Sequence, residues 1–390
     1  MAHLAELGAR VDDVEQVVVR RQLVLGVLVT TEMADQVSSA ARQLAVENSL
    51  SVRIEPVDTT PTERGLGVVV TVLAQVLSPV QLGAAATAIA SAGGNIDRIV
   101  RLARYPVTAY ELSVSGASIE ALRPAVVDAA QRLGFDAALQ AEGLGRRAQR
   151  LVVLDVDSTL IQDEVVELLA DEVGCGAEVR SITERAMAGE LDFEASLRAR
   201  VGLLAGATEA MLQRVRDNVQ LTPGARTFVR TLQRLGFRVA IVSGGFTFVT
   251  DALADSLGLD HAFANELEMR DGVATGELVG AIVDRARKAE LLAHIAELED
   301  IPLDQTVAVG DGANDLDMLA LAGLGIAFNA KPVVSAAADT TVNVPFLDAI
   351  LFVLGVRRSE VEAADDADGI EREDPPVAAL RPSRPSSETA

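Results

Sequence analysis

Leu151-Val152-Val153-Leu154-Asp155-Val156-Asp157-Ser158-Thr159 is the stretch from which the fold is read. Four consecutive apolar residues fit a short strand buried on both faces, as in parallel sheets covered by helices. Two carboxylates one residue apart follow it, at the strand end where open parallel sheets bind their ligands. Taken alone, Asp-x-Asp is more readily an acidic turn or helix cap. Three further apolar runs change the balance: Val239 to Val242, Thr306 to Val309 and Gly325 to Phe328. They are separated by helical stretches, the pattern of a parallel α/β sheet with right-handed crossovers. A helical insert is expected over about 162–221. A hairpin turning at Asp271-Gly272 is expected between Asn265 to Met269 and Val273 to Leu278.

Upstream of this region the pattern is duplicated. Gly8-Ala9-Arg10-Val11-Asp12 is echoed by Gly93-Gly94-Asn95-Ile96-Asp97, and each is followed by two strand-like runs, a helix and a last strand. In the first copy these are Val14 to Val19, Leu23 to Val29, a helix over about 31–47, and Leu50 to Ile54. In the second they are Ile99 to Ala103, Val107 to Val114, a helix over about 117–133, and Phe135 to Gln140. Only the second copy reads as a complete β-α-β-β-α-β ferredoxin-like unit; the first lacks its opening strand. The uncharged run from Gly65 to Ile96 is long enough to span a bilayer. It divides instead into a Val-rich strand, a helix started at Ser78-Pro79 and a stop at Gly93-Gly94.

Composition narrows the function. Of 390 residues, 57 are Asp or Glu and 34 Lys or Arg, a formal charge of −23, with no Trp and two Tyr. Such a surface repels nucleic-acid backbones and offers few rings for base stacking. One cysteine (Cys175) and three histidines leave no Cys- or His-based metal cluster, so carboxylates carry the chemistry. Met1-Ala2-His3-Leu4 opens no basic start with an apolar run, and a cytoplasmic protein is expected. Residues 359–390, with nine acids, three bases and four prolines, read as a disordered acidic tail.

Other strand ends supply the remaining groups. Val242 leads into Ser243-Gly244-Gly245, and Val309 into Gly310-Asp311-Gly312-Ala313-Asn314-Asp315; Lys288 opens a helix between them. Asp155, Asp157 and Asp311 at one point would repel one another unless a divalent cation neutralised them, and Mg²⁺ suits oxygen donors. Ser243, Lys288 and the free amides of Ser158 and Thr159 would hold phosphate oxygens. The set describes a phosphoryl-transfer site in which a carboxylate nucleophile divides the task into two steps.

At these motifs, in this order over about 200 residues, the sequence resembles the haloacid dehalogenase superfamily of phosphatases. The resemblance implies Asp155 as nucleophile and Asp157 as general acid and base. It also implies Mg²⁺ held by the carboxylates of Asp155 and Asp311 and the carbonyl of Asp157, with Asp315 in support. Asp163-Glu164, Met187 to Phe193 and Ser196 to Arg200 in the insert resemble the phosphoserine phosphatase family within it, over about 150–358. That likeness implies O-phosphoserine as substrate and places Glu164 on its ammonium and Arg200 on its carboxylate. It adds Met187, Phe193, Gly244 and Asn314 to the substrate contacts, beside Ser243 and Lys288.

The N-terminal copies, 1–60 and 64–142, resemble paired ACT domains. Ala74-Gln75-Val76-Leu77-Ser78-Pro79 lacks the glycine such domains carry at their ligand loop, leaving amino-acid sensing and a purely dimerising role both open. A homodimer is expected from the edge strands. The alternatives are a related phosphatase for another small phosphate or phosphoprotein, and a non-catalytic amino-acid sensor. Retention of Asp155, Asp157, Lys288 and Asp311 argues against the sensor.

Overall fold

The computed structural model describes residues 6–19, 22–57, 67–187, 190 and 192–371. The chain forms two compact units, 1–63 and 64–390. In the first, β1 (Arg10–Val19) and β2 (Gln22–Thr30) form an antiparallel hairpin followed by α1 (Ala34–Glu47). The strand expected at Leu50 to Ile54 does not form. The complete copy shows why: there the last strand pairs with the opening strand alone, and the described residues of the first unit include no opening strand.

The second unit begins with the complete copy: β3 (Val68–Ala74), α2 (Pro79–Ser91), β4 (Asn95–Ala103), β5 (Thr108–Ser115), α3 (Ile119–Leu133) and β6 (Asp136–Ala141). The sheet order is β4-β5-β3-β6. Ser78 and Gln81 form a reciprocal capping box at the start of α2, with Pro79 in its first turn, so the uncharged run breaks into strand and helix where expected. Among the described residues no helix is long and apolar enough to cross a membrane.

Every residue of β3 is buried, because its sheet is covered on both faces. Val68, Val70 and Val72 pack with Ile89 of α2 and with Leu122 and Val126 of α3. On the other face Leu73, Leu102, Val107 and Ala138 share a core with Phe346, Leu351 and Val353 from the end of the chain.

The remainder is built on the seven-stranded sheet β10-β9-β8-β7-β11-β12-β13. The central strand, β7 (Leu151–Leu154), is wholly buried. From it the chain passes into four helices, α4 (Val165–Val173), α5 (Gly176–Met187), α6 (Phe193–Gly202) and α7 (Glu209–Asn218). They leave and rejoin the core where Ile161 bridges to Leu221. The sheet then continues through α8 (Ala225–Arg234), β8 (Arg238–Phe246), α9 (Thr247–Leu257), and the hairpin β9 (His261–Arg270) and β10 (Val273–Val279). It is completed by α10 (Arg285–Leu298), β11 (Thr306–Gly310), α11 (Leu316–Leu321), β12 (Leu324–Phe328), α12 (Pro332–Ala337) and β13 (Thr340–Val342). All its pairs are parallel except β9 with β10, as the apolar runs and the Asp271-Gly272 turn imply.

Two helices follow, α13 (Ile350–Val353) and α14 (Arg358–Ala367). The second corrects the expectation of a disordered tail from residue 359. Val361 is buried, Arg230 and Arg234 both pair with Asp365, and Arg358 pairs with Asp348, which holds the acidic segment as a helix. Residues 372–390 lie outside the described residues.

A buried carboxylate marks where the ferredoxin-like sheet meets the larger one. Asp136 on β6 accepts bonds from the backbone N (2.7 Å) and Nδ2 (2.6 Å) of Asn343, just after β13. Burial outweighs these bonds and pushes its carboxyl from an ordinary 3.8 up to about 6. A carboxyl raised on folding favours the protonated form, so its share of stability is full below its unfolded value and is lost as pH rises through about 6. Asp136→Asn, which does not titrate, is expected to flatten roughly 3 kcal/mol of that loss between pH 4 and 7. Denaturant melts of both proteins across this range check it; parallel profiles would refute it.

Candidate active site

Asp155 sits one residue beyond β7 and is 2% exposed. Its Oδ1 accepts the Val156 amide (2.7 Å) and meets Nζ of Lys288 at 2.7 Å. Lys288, in the first turns of α10, is completely buried and also reaches Oδ1 of Asp315 at 2.7 Å. Asp284 sets this helix in place by capping it through the Arg287 amide.

Asp315 is turned back on its own loop, its Oδ2 accepting from Gly312 N at 3.0 Å. A Cβ at Gly310 would overlap that carboxylate, and one at Gly312 would overlap the Asn314 side chain. Gly310 is therefore demanded by the close approach, whereas at Gly312 the Asn314 side chain would have to turn aside. One oxygen each from Asp155, Asp311 and Asp315 lies within 4.8 Å of the others.

Crowding shows in the titration of these groups. Burial, and then the charge of Asp315, raise Asp155 well above the usual carboxylate range, with Lys288 opposing. Asp311 is pushed up to about 6 by burial and then Asp315, with Lys288 and Lys331 opposing. Burial works against the charge on Lys288, but attraction to Asp155 and Asp315 outweighs it and holds the amine above its ordinary range. Three hard oxygen donors with one ammonium among them retain an excess of negative charge, which a divalent cation would satisfy.

Asp157 points elsewhere. Its Oδ2 accepts from Ser243 Oγ (3.0 Å) and its Oδ1 from Val165 N (2.8 Å), the first amide of α4. Burial raises this carboxyl, against the pull of those two bonds. A Cβ at Gly245 would stand 3.0 Å from both Asp157 Oδ2 and Ser243 Oγ, so only glycine fits there without displacing them.

Of the two amides expected to be free, that of Ser158 is engaged: at φ 56° its N–H reaches the Asp163 carbonyl at 3.3 Å, while Thr159 is fully buried. The same twist puts Ser158 Oγ 3.0 Å from Glu164 Oε1.

Glu164 is raised to about 7, first by burial and then by Asp157. Arg200, in the last turn of α6, is lowered by burial while Glu164 and Asp157 favour its charge. Phe193, the first residue of α6, lies over Gly244, where a Cβ would stand 3.5 Å from its ring. Asn314 lies in the turn after β11, against Gly312. Met187 ends α5, and its side chain is outside the described residues. The sequence reading passed over the Val165 amide and Gly245. The first could be found as the free N–H opening a helix, the second only from the space beside Asp157.

Fold and site together define a haloacid dehalogenase-like hydrolase, and that family's model matches residues 152–320, while ACT domain models match 1–55 and 67–140. The chain is 56% identical to a phosphoserine phosphatase of Streptomyces coelicolor, over 93% of this chain and 89% of the relative. It is 46% identical to phosphoserine phosphatase SerB2 of Mycobacterium tuberculosis, over 96% of this chain and 93% of the relative. Among solved structures, a probable phosphoserine phosphatase from Vibrio cholerae, unliganded, superposes with TM-score 0.59 at 36% identity, covering 77% of this chain and 88% of that one. The chain belongs to the phosphoserine phosphatase family.

Removing the buried ammonium leaves two buried carboxylates without their partner. Lys288→Met is expected to destabilise the protein by roughly 3 to 5 kcal/mol, with part of the loss recovered on adding a divalent cation. Thermal and denaturant melts with and without the ion check this; a variant as stable as the parent would show that the ion pairs contribute nothing.

Proposed function

We propose that this chain hydrolyses O-phosphoserine to serine and phosphate through an aspartyl-phosphate on Asp155, with Mg²⁺ as cofactor. The observation that carries the reading is the separation of two buried carboxyls: Asp155 against the Lys288 ammonium, and Asp157 against Ser243 and the start of the helical insert. Burial and Asp315 raise Asp155, and Lys288 opposes them, drawing it toward the ionised form that a nucleophile needs. Asp157 has no such cation in contact, and burial favours its protonated form.

Asp155 attacks phosphorus as the bond to the serine oxygen breaks, and Asp157 delivers its proton to the departing oxygen. The Asp157 carboxylate then takes a proton from water attacking the phosphoenzyme; the bond from Asp155 to phosphorus breaks and phosphate leaves. The carboxylates of Asp155 and Asp311 and the carbonyl of Asp157 are the groups that would hold Mg²⁺, with Asp315 in support. When bound, the ion would neutralise charge on the phosphoryl oxygens. Gly244, Lys288 and Asn314 would hold the phosphate; the Ser243 hydroxyl lies beside them, with its single proton given to Asp157.

Selectivity belongs to the helical insert. Glu164 and Arg200 are opposite charges beside Asp157, suited to the ammonium and carboxylate of one amino acid, with Met187 and Phe193 as walls. In this reading the protein acts in the cytoplasm as a homodimer built on its ACT region.

Asp155→Asn is expected to leave the fold intact and no measurable phosphate release, since an amide cannot accept the phosphoryl group. Substantial residual turnover would remove Asp155 as nucleophile. Arg200→Ala is expected to weaken kcat/KM for phosphoserine by about 1.5 to 3 kcal/mol, the value of a charge-assisted hydrogen bond, while sparing p-nitrophenyl phosphate. Equal losses on both substrates would place Arg200 outside substrate selection.

A further inference from the structure

The parallel register of β8 and β9 breaks where the catalytic loop begins. Val242 pairs with Phe263 and Phe246 with Asn265, so Ser243-Gly244-Gly245 on β8 face the single residue Ala264 on β9. The bulge aims Ser243 at Asp157, but it takes backbone groups of β8 out of the ladder inside a buried sheet, where each needs another partner.

Asn265 supplies one. It is 2% exposed; its Nδ2 donates to the Gly244 carbonyl at 2.8 Å, and its Oδ1 accepts the Val283 amide at 2.8 Å. The Gly244 carbonyl and the Gly245 N–H belong to one planar peptide, so anchoring the first fixes the direction of the second. The Gly245 N–H donates to Ser243 Oγ at 2.8 Å, and Ser243 Oγ donates to Asp157 Oδ2 at 3.0 Å. A directional series of hydrogen bonds thus runs from Val283, one residue before the Asp284 cap of the Lys288 helix, to the carboxyl of Asp157.

We infer that Asn265 is a positioning residue for the proton-delivering step: through the Gly244–Gly245 peptide it holds the Ser243 hydroxyl on Asp157 and ties that hydrogen bond to the start of α10. The inference rests on the phosphatase reading above and adds a residue that acts through others. Its consequence is specific. The Asp157 proton matters for a serine alkoxide, which is a poor leaving group, and little for p-nitrophenolate, which departs without protonation.

The test compares kcat/KM for phosphoserine and p-nitrophenyl phosphate in the parent, Asn265→Asp and Asn265→Leu. The aspartate keeps the acceptor for Val283 but cannot donate to Gly244, and the leucine keeps the volume without either bond. Both variants are expected to lose roughly tenfold or more on phosphoserine, a part of the about 10²- to 10⁴-fold that general acid–base catalysis contributes, and about threefold or less on the aryl phosphate. Equal losses on the two substrates in folded variants would overturn the inference, as would failure of both variants to fold, which would assign Asn265 to the fold alone. A parent that hydrolyses neither substrate would instead overturn the phosphatase reading.

Discussion

A buried ammonium between two buried carboxylates is the constraint on which the structure turns. Lys288 is completely buried, and among the described residues Asp155 and Asp315 are the carboxylates in direct contact with it. That requirement fixes three elements against one another: the end of β7, the start of α10 and the loop after β11. It explains Gly310, which leaves room for the Asp315 carboxylate to fold back onto its own loop. It also fixes the charge balance, since one cation among three acids leaves a deficit that a further cation would fill. An ion pair of this kind brings little net stability after desolvation, but it allows only one arrangement of the strand ends.

The helical insert is joined to the chemistry by more than proximity. The first amide of α4 donates to Asp157, and Glu164, which precedes that helix, accepts from Ser158 in the turn after the nucleophile. Displacing the insert would remove a hydrogen bond from Asp157, the proposed general acid. The residues proposed for substrate selection and for proton delivery are therefore linked through the segment from Asp157 to Val165.

Much of this architecture could be read from the chain because parallel strands buried on both faces leave continuous apolar runs, and Leu151 to Leu154 and Thr306 to Val309 do so. Asp155 and Asp311 were legible because each directly follows a strand. What escaped depended on contacts between segments distant in sequence. Leu50 to Ile54 has the composition of a strand, but pairing requires a neighbour that local pattern does not reveal. Residues 359–367 have the composition of a tail, and only Arg230 and Arg234, far upstream, make them a helix. Ser158 turned its amide away because of one left-handed dihedral angle. Asn265 stands in the sequence as an ordinary polar residue beside Ala264, and its role becomes visible only with the break in register opposite it.

The ferredoxin-like unit ahead of the catalytic domain has no tether. Arg146, in the short connection, pairs with Glu111 at 2.7 Å and reaches the Val353 carbonyl; Gln140 reaches that same carbonyl, and Asp136 grips Asn343. With both faces of its central strand β3 buried, this unit is packed into the larger one and does not swing beside it. Heat should therefore melt residues 67–371 in one cooperative transition, without a separate step for the smaller sheet. A cut between Ala141 and Leu151 would leave two sticky halves instead of two working modules, so recombination could not trade this unit between proteins without also rebuilding the wall it covers.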